Sequence, residues 1–147
     1  MIINDKGRAI IQKNEGLRLL AYHCPAGVPT IGYGHTKGVE MGQEITAVQA
    51  EVMLDEDISE FEVAVERLAP KANENEFAAM VSLAFNIGVE AFSRSTLLRL
   101  FLAGDKAGAA AEFLKFVHVR DVKGFKVLPG LVKRRHEERA LFLEPVA

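Results

Sequence analysis

Between Glu15 and Thr36 the chain reads EGLRLLAYHCPAGVPTIGYGHT, and Gly16, Pro25, Gly27, Pro29, Gly32 and Gly34 interrupt it so often that no continuous helix can form there. A carboxylate, a thiol, hydroxyls and two histidines share the same stretch, so reactive side chains are concentrated where the backbone must turn. Leu19 to Tyr22 and Thr30 to Tyr33 are β-compatible runs flanking Cys-Pro-Ala-Gly-Val-Pro, which predicts a hairpin with a long turn. Pro25 and Pro29 bias Cys24 and Val28 toward extended backbone, so the turn is stiff and side chains at its base can be aimed. Gly32 and Gly34 permit close approach of another backbone or of a ligand. A sheet this small requires a helical body to pack on.

The flanking sequence supplies that body. Asn4 or Asp5 can cap a first helix with apolar positions Ala9, Ile10 and Leu17, and Gly16 is its stop. Thr46 with Gln49 forms a capping box opening a helix to about Leu68, just before Pro70. In that helix Val48, Val52, Ile58, Phe61, Val65 and Leu68 make the expected apolar stripe, opposite Glu51, Asp55, Glu56, Asp57, Glu60, Glu62 and Glu66. Asn75 to Gly88 predicts a buried helix in which Asn86 is the polar exception and must find partners or face a cleft. Ser95 or Ser93 caps a helix through Leu102, Lys106 to Val117 predicts another, Arg120 to Val127 reads as irregular and basic, and Leu131 to Leu143 is a final helix with Pro129 in its first turn. No repeat or linker divides the chain.

A chain of 147 residues can bury a core without a metal or disulfide. Its single cysteine, Cys24, excludes an internal disulfide and a cysteine metal cluster, and no cofactor is expected. The opening residues lack the apolar run of a secretory signal or a membrane span. Charge is unevenly spread. Eleven acidic residues from Glu40 to Glu76 face only Arg67 and Lys71, whereas eight basic residues from Lys115 to Arg139 face three acids. Such a field can steer an anionic polymer toward the C-terminal half, and it equally suits solvated helix faces of opposite sign.

Glu15 closes the first helix, where the dipole disfavours an anion and favours the protonated carboxyl that a general acid requires. Thr30 has a hydroxyl suited to orienting water. Cys24 lies beside His23, but neighbours on a strand face opposite sides, which argues against a thiol–imidazole pair. His35, at the hairpin's end, suits a structural contact with an acid on the following helix such as Asp57.

These pieces resemble the phage-type lysozymes of glycoside hydrolase family 24, the endolysins. The resemblance rests on Glu15-Gly16-x-Arg18 with Tyr22, Thr30-Ile31-Gly32-Tyr33-Gly34-His35-Thr36, Ala84-Phe85-Asn86-Ile87-Gly88, Phe92, Ser95-Thr96-Leu97-Leu98, and Leu128-Pro129-Gly130-Leu131-Val132 with Arg134, Arg135 and Glu138. It implies an α+β lysozyme-like fold in a single domain: a small β-hairpin lobe at about 16–45, a connecting helix at about 46–68, a helical lobe at about 69–147 that includes the N-terminal helix, and an intervening glycan cleft. It also implies hydrolysis of the β-1,4 bond between N-acetylmuramic acid and N-acetylglucosamine in peptidoglycan.

The family pattern of a glutamate, an acid or thiol nine positions on, and a threonine six beyond falls on Glu15, Cys24 and Thr30 as catalytic residues. Cys24 stands where most members carry aspartate. Asn86 and Tyr33 are the expected substrate contacts, and His35 and Asp57 the structural pair. The resemblance further implies a monomer made in the host cytoplasm, reaching the wall through a holin pore, with no nucleic-acid partner and no transmembrane segment. Two rivals are a cysteine-dependent peptidoglycan amidase or peptidase built on Cys24, and a non-enzymatic helical module binding nucleic acid through Lys123, Lys126, Lys133, Arg134 and Arg135.

Overall fold

The computed structural model describes residues 1–121 and 124–146. The chain runs α1 (Asp5–Glu15), β1 (Arg18–His23), β2 (Pro29–Gly32), α2 (Ala47–Leu68), α3 (Glu74–Ile87), α4 (Val89–Ser93), α5 (Thr96–Leu102), α6 (Lys106–Glu112), a 3-10 turn (Phe113–Lys115), β3 (His118–Asp121), β4 (Gly124–Val127) and α7 (Pro129–Leu143). It divides into two compact units, residues 11–60 and residues 1–10 with 61–147.

In the unit of residues 11–60, β1 and β2 form the expected antiparallel hairpin, with Tyr22 opposite Thr30. Residues 43–45 line the other edge of β1, through Ala21 N–H to Gln43 O and Ile45 N–H to Leu19 O, both 2.9 Å. Ala21, Ile31, Ile45 and Ala50 form a small core against which Tyr33, Val39 and Met53 pack. The Thr46–Gln49 capping box is present in both directions, at 2.8 and 3.1 Å. The buried face of α2 differs from the expected stripe. Ile58 and Val65 are buried as expected, but Val48 and Val52 are 73% and 52% exposed, and Ala50 and Leu54 are buried in their place. The small Ala50 lets α2 come close to the strands, and that rotates the helix face relative to a reading based on side-chain size. Ala9, too, is exposed, and α1 buries Ile10 and Ile11.

In the other unit, α3 is buried over nearly its whole length, with Asn73 and Glu76 closing a capping box at its start and Gly88 (φ 95°) ending it. Its packing partners include α7, and Phe142 of α7 meets Phe101 and Phe113 edge-on or tilted at 5.9 and 5.3 Å. The N-terminal residues join this unit by hydrogen bonds. Ile3 N–H donates to Glu62 (2.6 Å), Asn4 to Asn75 (2.9 Å), and a β-carbon on Gly7 would lie 2.7 Å from Ala78 Cβ. Ser95, not Ser93, caps α5; Ser93 ends α4.

Two expectations are corrected here. The helix from Lys106 stops at Glu112 and tightens into the 3-10 turn, and the Phe116 carbonyl beyond it accepts from Arg135 at 2.9 Å. Within Arg120 to Val127 the described residues are not irregular: they belong to β3 and β4, paired from His118–Val127 to Asp121–Gly124, and His118, Val119, Arg120 and Phe125, Lys126, Val127 are β-compatible runs. Among the described residues no helix is long and apolar enough to cross a membrane.

Candidate active site

Glu15, Cys24 and Thr30 all lie in the unit of residues 11–60. Asn4 caps α1 through its side chain to Gly7 N–H (3.0 Å), and Gly16, at φ 74°, returns its N–H to Gln12 O at 2.9 Å. Glu15 is therefore the last helical residue, half-buried, as its place before a glycine stop requires. Its carboxylate meets a second glycine. Ile31 and His35 exchange both backbone hydrogen bonds at 2.9 Å, closing a turn with positive φ at Gly32 (66°) and Gly34 (79°). That turn puts Gly34 so near Glu15 that a β-carbon there would lie 3.0 Å from Oε2. The bare glycine is what allows the carboxylate to occupy this position.

Cys24 opens the turn between β1 and β2, fixed by its N–H to Val28 O (3.0 Å) and by Gly27 N–H to its own carbonyl (2.7 Å). Backbone hydrogen bonds from Val28 and then Ala26 hold the thiol below its ordinary value; burial pushes it up, and the Thr30 hydroxyl and Gly27 lower it further. The turn thus makes a cradle of donors in which a thiolate is favoured. Thr30 is 3% exposed, and its hydroxyl donates to Val28 O at 2.8 Å. The hydroxyl's one proton serves both that carbonyl and the thiolate, and the oxygen's lone pairs remain to accept from a water. The Thr30 hydroxyl is among the groups that act on the Cys24 thiol, and among the described residues no histidine is.

His35 is buried and uses both ring nitrogens: Nδ1 lies 2.7 Å from Asp57 Oδ2 and Nε2 lies 3.0 Å from the Lys37 carbonyl. A carbonyl only accepts, so the ring nitrogen facing Lys37 donates. The His35–Asp57 contact expected from the sequence is present. Tyr33 lies just beyond β2 and is half-buried, with its hydroxyl donating to Glu51 at 3.3 Å; Gln12 donates to both oxygens of the same carboxylate at 2.9 and 3.1 Å. Sequence reasoning did not single out Gln12, and it placed Glu51 on the solvated face of its helix. Arg18 stacks its guanidinium 4.2 Å above the Tyr22 ring.

Asn86 is exposed rather than near-buried and accepts from Arg135 through its side-chain oxygen. A guanidinium donates only, so the Asn86 amide nitrogen is directed away from Arg135. Arg135 and Arg134 are themselves buried around Glu138, which takes Arg135 Nη1 at 2.6 Å, Arg134 Nε at 3.2 Å and the Ser82 hydroxyl at 2.5 Å. Burial pushes the Glu138 carboxyl up, and the two guanidiniums and Ser82 pull it down. These arginines are spent inside the fold and are absent from any basic surface, which removes two of the five cations of the nucleic-acid reading; Lys123 lies outside the described residues.

Residues 12–138 match the family model of phage lysozyme. The chain belongs to the phage lysozyme family. It is 46% identical over 144 residues to an endolysin of Acyrthosiphon pisum secondary endosymbiont phage 1, spanning 97% of this chain and 98% of that one. Among solved structures it is similar to the endolysin of Escherichia coli O157:H7 phage FAHEc1, with a TM-score of 0.93 and 38% identity over 99% of this chain and 96% of the other. It is also similar to the muramidase domain of SpmX from Asticaccaulis excentricus, with a TM-score of 0.92 and 36% identity over 98% and 99% of the two chains. The α+β lysozyme-like fold expected from the sequence is the one observed. Glu15, Cys24 and Thr30 fall inside the span that matches the phage lysozyme family.

Proposed function

We propose that this protein is a muramidase that hydrolyses the β-1,4 bond between N-acetylmuramic acid and N-acetylglucosamine in peptidoglycan, with Glu15 as the proton donor. The observation that carries this reading is the Glu15 carboxylate held at a helix end against the bare Gly34, in the compact unit that also holds the Cys24–Thr30 pair.

Glycosidic cleavage requires protonation of the leaving oxygen and stabilisation of positive charge at the anomeric carbon as the bond breaks. Glu15 delivers the proton to the glycosidic oxygen. Cys24, favoured as thiolate by its donors, supplies negative charge toward the oxocarbenium-like centre. Thr30 orients the attacking water through the lone pairs left by its bond to Val28. Asn86 directs its amide N–H groups to an acetamido carbonyl, and the Tyr33 ring contributes a sugar contact. His35 and Asp57 hold the hairpin to α2 and take no part in proton transfer. The protein works as a monomer on glycan strands, made in the host cytoplasm and released to the wall by a holin, without nucleic acid.

Glu15→Gln, assayed on purified peptidoglycan, tests the reading. The unsubstituted protein is expected to release reducing sugar ends and the variant to release almost none. Release of free amines without reducing ends would replace the muramidase by the amidase, and full activity of Glu15→Gln would remove Glu15 from the mechanism.

A further inference from the structure

We propose that Glu51 is a positioning residue for the proton donor, its carboxylate tying together the two backbone segments that border Glu15. The inference rests on Glu15 being the acid, as proposed above.

Glu15 has a neighbour on each side of its carboxylate's position: the last turn of α1, which carries it, and the turn containing Gly34, which abuts it. Gln12 belongs to the first, three residues before Glu15, and its carbonyl accepts the Gly16 N–H that ends the helix. Tyr33 belongs to the second, directly before Gly34, with its ring packed against the core of Ala21, Ile31, Ile45 and Ala50. Glu51 accepts from both, from Gln12 Nε2 at 2.9 and 3.1 Å and from the Tyr33 hydroxyl at 3.3 Å.

The chemistry suits the task. A carboxylate offers two acceptor oxygens and no donor, so it holds an amide and a phenol together without choosing between orientations. Its charge strengthens both bonds. The helix that carries Glu51 is itself anchored one turn earlier by the Thr46–Gln49 capping box and by buried Ala50. Glu51 is half-buried, whereas Asp55, Glu56 and Glu60 further along α2 are exposed. An acid displaced by about an ångström loses on the order of 10²-fold in rate, so loosening either border should act on kcat.

The test compares kcat and KM of Glu51→Ala and Glu51→Gln with Glu15→Gln on purified peptidoglycan, by reducing-end release well below each variant's Tm. Asn73→Ala, which breaks the α3 capping box in the other unit, controls for lost stability alone. Glu51→Ala is expected to lower kcat about tenfold with KM within about twofold. Glu51→Gln, whose amide oxygen still accepts from Gln12 and Tyr33, should recover most of that loss, and Asn73→Ala should lower Tm without lowering kcat. A Glu51→Ala enzyme with unchanged kcat, a Glu51→Gln enzyme as impaired as Glu51→Ala, or an equal kcat loss in Asn73→Ala would each overturn the proposal. Inactive Glu15→Gln beside active Glu51→Ala sinks the Glu51 role alone, whereas active Glu15→Gln sinks the proton-donor assignment beneath it.

Discussion

Gly34 and Glu15 share one space: a β-carbon on Gly34 would stand 3.0 Å from Glu15 Oε2 and 3.6 Å from its Cδ. Gly34 also has φ 79°, which L side chains adopt at a cost of about 1–2 kcal/mol. Gly34→Ala should therefore lose roughly that much stability and, by pushing the carboxylate aside, on the order of tenfold or more in kcat. Urea denaturation and reducing-end release on the same preparation check this. Wild-type turnover in a measurably destabilised variant would show that the contact does not position the acid.

The donors around Cys24 lower its thiol, so at a pH below the ordinary thiol range a larger fraction is thiolate than in a free cysteine. Alkylation by iodoacetamide, followed by mass spectrometry across pH, should rise at lower pH than for a model thiol. Thr30→Val, which removes one of the lowering donors, should move the curve back up. For activity, Cys24→Ser should sharply reduce cell-wall clearing and Cys24→Asp should retain much of it. Near-normal turnover by Cys24→Ser would remove the thiol from the mechanism.

Asp57 is one of two acceptors for the buried His35 ring. Asp57→Ala leaves Nδ1 without its carboxylate and should cost about 1–3 kcal/mol in unfolding free energy, with kcat changed little. A variant that unfolds at the same urea concentration as the parent would mean the contact contributes nothing.

Glu138 is the acid between two buried guanidiniums. Glu138→Ala strands both cations and should cost about 3–5 kcal/mol, whereas Ser82→Ala, which removes one neutral donor to the same carboxylate, should cost nearer 1 kcal/mol. Calorimetry on the pair of variants gives the ranking. Equal losses would contradict a network centred on the carboxylate.

What could be read from the sequence was local. The first hairpin, α2 and α3 are announced by glycines, prolines and the Thr46–Gln49 capping box acting within a few residues. The His35–Asp57 contact was also foreseeable, because a histidine at a hairpin end needs an acid on the next helix. The rest depends on packing. Val48 and Val52 look like core but are exposed, since the side chain nearest the strands is the small Ala50. Arg134 and Arg135 look like a basic surface but are buried around Glu138, a partner three or four residues on that a charge count treats only as dilution. β3 and β4 were hidden by basic residues within strands, although the β-compatible runs on either side of Gly124 carried the signal. Nothing in the sequence near Gln12 or Tyr33 names Glu51 as their common acceptor.

The interleaved chain path, in which residues 1–10 belong with 61–147 while 11–60 form their own unit, has a kinetic consequence. The shorter unit is continuous in sequence, so its nucleus needs only nearby segments to meet. The longer one must close a chain loop that contains every residue of the shorter before Ile3 can find Glu62 or Asn4 can find Asn75. Loop closure slows contacts between distant segments, so on refolding, amides of the hairpin unit should gain protection from hydrogen exchange before those of the N-terminal turn.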